Sequence, residues 1–166
     1  VIGPAADAHR IATLEETVSE GDLVRVGEAE GYVLETPGHT SGHISFVFPD
    51  QCALFCGDTL FAMGCGRLFE GTADQMWRSL SKYADLADDI QVCCAHEYTQ
   101  ANARFAVTVD PDNAALTERC RQVDTLRAEG RPTVPSTLGI ERATNPFLRA
   151  DQPGIQAALG LTGDDP

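Results

Sequence analysis

Positive charge is scarce in this sequence: 12 Lys and Arg among 166 residues face 25 Asp and Glu, for a formal net charge of −13. That balance opposes binding along a phosphate backbone, so no nucleic-acid partner is expected. Long apolar runs are missing too. No stretch approaches the roughly 18 apolar residues of a membrane-spanning helix, so no membrane partner is expected. The opening VIGPAADAHRIATLEE has no basic region leading into an apolar core and does not read as a signal peptide. It also lacks an initiating Met, which leaves open a truncated or processed start. Paired C-x-x-C motifs are absent, which removes a cysteine zinc knuckle. Among the six cysteines, Cys52 and Cys56 share a face of an apparent strand, and Cys93 and Cys94 are adjacent. Reduced, mostly buried thiols in a cytoplasmic protein are the simplest reading.

What is present suffices for a folded domain. At 43% hydrophobic residues the chain can bury a core, as one domain or one domain with a small appendage. Short apolar runs predict strands at 23–26 and 32–35 around a turn bounded by Gly27 and Gly31, then at 44–48 and 52–56. Asp50-Gln51 is the expected tight connection of a hairpin between the last two. Thr72 and Gln75 have capping-box spacing ahead of Met76, Leu80 and Tyr83, which predicts a helix ending near Asp85. A fifth strand is expected at 90–94. After it the pattern turns helical, at 100–107 and at 113–129, with Gly130 and Pro132 as the stop. Residues 131–149 read as loop, a short helix is expected at 155–161, and the GDDP tail as frayed. Residues 11–19 have only weak apolar spacing.

Histidine is also rare, yet half of the four fall within TPGHTSGH. His39 follows one predicted strand through Pro37-Gly38, Asp58 follows another through Gly57, and His96 follows a third. If those strands lie side by side, the three loops converge where open sheets place their chemistry. Imidazole and carboxylate suit zinc or another borderline divalent ion, and a carboxylate can bridge two ions. His43 leads straight into a strand and is expected to orient a neighbour rather than bind metal. His9 lies in a small-residue loop and reads as an exposed histidine. Cys65 has no histidine marked by placement as its base, so thiol catalysis is not expected.

Taken in order, TPGHTSGHISFVFP, LFCGDTLFAMGCGRLFEGTADQMWRSL, CAHEYTQANARFA and PTVPSTLGIERATNPFLR resemble the hydroxyacylglutathione hydrolases, the glyoxalase II branch of the metallo-β-lactamase superfamily. The resemblance implies an α/β fold: the second half of a metallo-β-lactamase αββα sandwich over 1–97, then a small, mostly helical glutathione-binding domain over 98–166. The family's T-H-x-H-x-D-H motif occurs nowhere in these residues, so the chain is expected to correspond to the part after it.

By the same resemblance His39, Asp58 and His96 match metal ligands, with Asp58 as the bridging carboxylate and the catalytic residue. Two divalent metals are implied, zinc first, with iron or manganese as alternatives. Arg67, Phe69, Tyr98 and Arg149 match substrate-binding positions for a glutathione thioester. Phe69 stands where the family often has a tyrosine, which removes a donor, and the basic residue often found after Arg149 is missing. The implied reaction is hydrolysis of S-(2-hydroxyacyl)glutathione, such as S-lactoylglutathione, by a metal-activated hydroxide. Three alternatives remain open: an inactive or weakly active fragment of that enzyme, a related thioesterase, or a dioxygenase. Self-association, or association with a missing leading half, is expected to cover apolar surface.

Overall fold

The structure, a computed structural model, describes residues 1–161. The strands are β1 (Ile2–Pro4), β2 (Glu16–Val18), β3 (Leu23–Val26), β4 (Ala29–Glu35), β5 (Ile44–Phe48), β6 (Ala53–Gly57), β7 (Leu60–Phe61), β8 (Gly64–Cys65), β9 (Gln91–Cys94) and β10 (Ser136–Thr137). The helices are α1 (Ala73–Ser81), α2 (Thr99–Val109), α3 (Ala114–Ala128), α4 (Leu138–Thr144) and α5 (Pro153–Ala158).

Six strands form one mixed sheet in the order β10-β9-β6-β5-β4-β3. The steps from β3 to β6 are antiparallel, whereas β6 and β9 are parallel and joined through α1. The five strands predicted at 23–26, 32–35, 44–48, 52–56 and 90–94 correspond to β3, β4, β5, β6 and β9 of this sheet.

Period-2 alternation separates the two faces. Val47, Leu54, Cys56 and Val92 point to one side, where Met76, Leu80 and Tyr83 from α1 and its trailing turn cover them, together with Leu138. Each such buried aliphatic side chain contributes about 1.5–3 kcal/mol. The expected capping box is present: the Thr72 hydroxyl accepts the Gln75 N–H, and Gln75 accepts the Thr72 N–H in return. On the opposite face Val24, Val33 and Phe48 make a smaller cluster. That face stays open at Phe55, 48% exposed, in a groove shared with Phe46 and Val26.

Beyond β9, Ala103, Ala106, Leu116 and Val123 of α2 and α3 form a second core, into which Met63 from the β7–β8 turn inserts with no exposure. Asn113 caps α3 by accepting the Leu116 N–H.

Four expectations need correction. Residues 131–149 are not simply loop: β10 adds to the sheet edge beside β9, and α4 follows it, capped by the Thr137 hydroxyl. Prolines at 132 and 135 hide the short strand, and the helix is a brief one whose buried face mixes Leu138 with Glu141 and Thr144. Cys52 does not share a strand face with Cys56, because it occupies a left-handed position (φ 48°) after the Pro49–Gln51 turn. The weakly patterned start pairs β1 with β2 in a small parallel sheet. The last helix is Pro153–Ala158 rather than 155–161, and the expected frayed tail lies outside the described residues.

Candidate metal centre

Strand direction gathers the candidate ligands. Two antiparallel steps separate β4 from β6, and β9 runs parallel to β6, so all three strands end at the same sheet edge. His39 follows β4, Asp58 follows β6 and His96 follows β9. Gly57 turns the chain out of β6 at φ 51°, a conformation costly for side-chain-bearing residues. Gly66 allows the next loop to close over the site, since a Cβ there would fall 1.8 Å from the Asp58 carbonyl oxygen.

Asp58 presents one oxygen to each histidine. Its Oδ1 lies 3.3 Å from His96 Nε2, and its Oδ2 lies 3.9 Å from His39 Nε2. The orientation of His39 is set from behind: its Nδ1 is 2.8 Å from the Arg67 carbonyl oxygen. A carbonyl only accepts, so Nδ1 carries the proton and Nε2 presents its lone pair.

His43 supports the third position without entering the cleft. Its Nε2 accepts the backbone N–H of Asp58 at 3.1 Å, so its Nδ1 carries the proton toward the Thr36 and Thr59 hydroxyls, at 3.1 and 3.0 Å. From Thr36 the contacts run to Ser45 at 3.0 Å and on to the Tyr83 hydroxyl at 2.7 Å. Burial pushes the His43 pKa below its ordinary 6.5, which keeps it neutral and able to accept.

The three donors open into a cleft of about 540 Å³, with Arg67, Phe69 and Tyr98 on its walls. Arg67 is exposed and forms no ion pair among the described residues. The Phe69 ring sits 4.9 Å from His39, and the Tyr98 ring stacks on His96 at 4.9 Å and 14°. Arg149 is not brought to this cleft; its Nε pairs with Asp110 at 3.1 Å. His9 is exposed and outside the lining. Cys65 lines the cleft, but burial pushes its thiol up to about 12, which leaves little nucleophilic thiolate.

Sequence reading did not single out Phe61 or Asn102, which also line the cleft. Phe61 sets its ring edge against Tyr98 at 5.5 Å. Its signal was its place in GDTLF, three residues beyond Asp58. Asn102 lies one helical turn after Tyr98, a spacing that only the start of α2 makes meaningful.

A mixed sheet with imidazoles and a carboxylate gathered at its strand ends has the form of a metallo-β-lactamase fold. Residues 9–96 match the family model described as the metallo-beta-lactamase superfamily, and the chain belongs to that superfamily. Residues 97–166 match a second family model, the hydroxyacylglutathione hydrolase C-terminus. The fold is accordingly α/β, a metallo-β-lactamase-type sheet followed by a small helical C-terminal part.

The chain is 61% identical over 166 residues to a protein named hydroxyacylglutathione hydrolase from Ruegeria pomeroyi, covering all of this chain and 65% of that one. A protein of the same name from Methylococcus capsulatus is 59% identical over 163 residues, covering 98% of this chain and 64% of that one. The chain thus spans about 65% of the length of such relatives. Among solved structures, ETHE1 from Myxococcus xanthus is similar with a TM-score of 0.60 and 28% identity, over 88% of this chain and 50% of that one.

Membership of the superfamily implies divalent-metal binding. Among the described residues no three His, Cys, Asp or Glu side chains group closely enough to hold one ion unaided. Two imidazoles and a carboxylate that turns one oxygen toward each are donors suited to divalent metal. A four-coordinate zinc ion held by the carboxylate and one imidazole would have two of its donors. The donor chemistry fits, and the set is partial.

Proposed function

We propose that this chain supplies half of a dinuclear metal centre in an enzyme that hydrolyses S-(2-hydroxyacyl)glutathione thioesters, such as S-lactoylglutathione, to glutathione and a 2-hydroxy acid. The observation that carries this reading is the Asp58 carboxylate, one oxygen toward each imidazole, in a cleft also lined by Arg67, which forms no ion pair among the described residues. The names of the relatives support the choice of thioester. When bound, a pair of divalent ions, zinc by first expectation and iron or manganese otherwise, supplies Lewis acidity and an activated water.

The chain's own residues do the rest. Asp58 would hold both ions, and His39 and His96 would each hold one. Arg67 receives a glutathione carboxylate, for which a guanidinium fork is well suited. Phe69 contributes an apolar wall without a donor, and the Tyr98 hydroxyl is available to the substrate. Arg149 reaches a second carboxylate only by leaving Asp110. A thiolate is a good leaving group, so little help from a general acid is required.

The remaining ligands come from residues outside these 166, and the division into 1–97 and 98–166 belongs to the same proposal. The open face at Phe46 and Phe55 supports association with a further layer, either a second copy or such an additional segment. Six free cysteines fit a reducing compartment, and we place the protein in the cytoplasm. Among the described residues no helix is long and apolar enough to cross a membrane.

A second reading, that the chain by itself is weakly active or inactive, is favoured by the two donors available to each ion. Hydrolysis of S-lactoylglutathione with added zinc, on a sample of verified mass, separates the two. Turnover matching the longer relatives would refute weak activity. Turnover absent from both this chain and the Ruegeria pomeroyi relative would refute the substrate assignment.

A further inference from the structure

The β7–β8 turn, which carries the chain from Asp58 toward Arg67, is buried throughout Leu60–Gly64. Buried backbone polar groups need partners. Here they are found in side chains of the helical region. Glu141 Oε2 accepts the Met63 N–H at 2.7 Å. Asn145 Nδ2 donates to the Phe61 and Gly64 carbonyls at 3.0 and 2.9 Å, and Asn102 Nδ2 donates to the Ala62 carbonyl at 3.0 Å. Glu141 and Asn145 are themselves fully buried and joined at 3.1 Å, and Ser136 Oγ lies 2.6 Å from Glu141 Oε1. Met63 has φ 54°, uncommon for a residue with a side chain, so the turn depends on these bonds and on the seat of Met63 between α2 and α3.

We propose that Glu141 and Asn145 are positioning residues for the metal centre: they fix the β7–β8 turn, and through it the Arg67 carbonyl that orients His39. The last link rests on the reading of the centre given above; the fixing of the turn does not. The path is short. From Gly64 the strand β8 leads through Gly66, whose N–H reaches the Thr59 carbonyl at 3.3 Å, to the Arg67 carbonyl 2.8 Å from His39 Nδ1. The helical region thereby acts on ligand geometry as well as on the cleft wall.

The test is amide hydrogen exchange on the 166-residue chain, paired with zinc titration. Asn145→Ala and Glu141→Ala should raise exchange at Ala62–Arg67 by about tenfold or more while protection at Leu54–Cys56 and Val92–Cys94 is kept. Zinc affinity should fall about ten- to hundredfold. Glu141→Gln keeps an oxygen for Met63 and Asn145 and can donate to the Ser136 hydroxyl, so it should behave as the wild type. A general loss of fold would not spare the sheet amides or be rescued by Gln. Unchanged exchange at Ala62–Arg67 in a folded alanine variant overturns the proposal. If neither alanine variant folds, Asn102→Ala decides by the same exchange at Ala62–Gly64. Faster exchange with unchanged zinc affinity overturns the link to His39. If the wild type binds no zinc at all, the link to His39 falls, while the exchange result still judges the turn.

Discussion

The backbone N–H of Asp58 donates to the Nε2 of His43 at 3.1 Å, so an imidazole outside the cleft lining holds one of the residues within it. His43→Leu should leave that N–H without a partner, at a cost of about 1–3 kcal/mol, and weaken zinc binding about ten- to hundredfold. His43→Gln offers an acceptor again and should recover part of both. Thermal unfolding and zinc titration of the two variants provide the check. Equal zinc affinity in wild type and His43→Leu would rule out the role.

Asp58 and the two histidines should differ in stoichiometry. Because each imidazole faces a different carboxylate oxygen, His39→Ala and His96→Ala should each weaken one ion, whereas Asp58→Asn should weaken both. Calorimetric titration with zinc, fitted for two sites, separates these outcomes. Loss of both ions from either histidine change would argue for a single shared site.

Phe69 presents a ring to the cleft without a hydroxyl. Phe69→Tyr should tighten glutathione binding by one hydrogen bond, about 0.5–1.5 kcal/mol or roughly two- to tenfold in Kd. Arg67→Ala should weaken it by more, because the pairing lost is charge-assisted. Both are measurable by titrating glutathione into the chain. Arg67→Ala with unchanged affinity would move the glutathione site elsewhere.

The Arg10–Glu70 pair ties the start of the chain to the loops around His39. Arg10 donates through two nitrogens to Glu70, at 2.6 and 2.9 Å, and Glu70 also accepts the Ser41 N–H and hydroxyl. The guanidinium, then the Ser41 N–H, hold the Glu70 carboxyl at about 2, below its ordinary 4.5. A depressed carboxylate stabilises the fold above its unfolded value. The contribution is therefore present above 4.5 and lost as pH falls toward about 2. Glu70→Gln should flatten this part of the acid limb of a thermal-midpoint profile. An identical acid limb in the variant would remove the pair from the account of stability.

The open sheet face should drive association. Phe55→Ser should reduce both apolar-dye binding and self-association, because Phe55 is a large side chain left 48% exposed in an apolar groove. Sedimentation over a range of concentrations reads this directly. A wild-type chain that stays monomeric at all of them would contradict the expectation of self-association.

Strand alternation and turn residues made the large sheet legible in the sequence, and the ends of three strands point to His39, Asp58 and His96 as neighbours. Local pattern could not reveal β10 and α4. The strand has two residues beside prolines, and the helix has seven whose buried face carries Glu141, an unusual core residue until its partners on the β7–β8 turn are seen. Arg149 shows a similar limit. Its motif implied a substrate carboxylate, but the nearby Asp110, distant in sequence, provides a competing one in the structure. Contacts between residues far apart in the chain decide such cases, and no window of sequence contains both partners.

The parallel pairing of β6 with β9 also bears on the order of events during folding. Antiparallel neighbours such as β4 and β5 can close as a local ribbon, but Asp58 and His96 meet only once residues 58–90 have looped back and α1 has settled on the sheet. Closing that longer loop is entropically costly until the packing beneath it forms. Ion capture should therefore follow the main refolding step, and the rate at which a refolding chain sequesters zinc should not exceed the rate at which β6 and β9 gain exchange protection. A capture phase as fast as the β4–β5 ribbon would mean that the ion organises the chain, and that the sheet edge does not wait for its last strand.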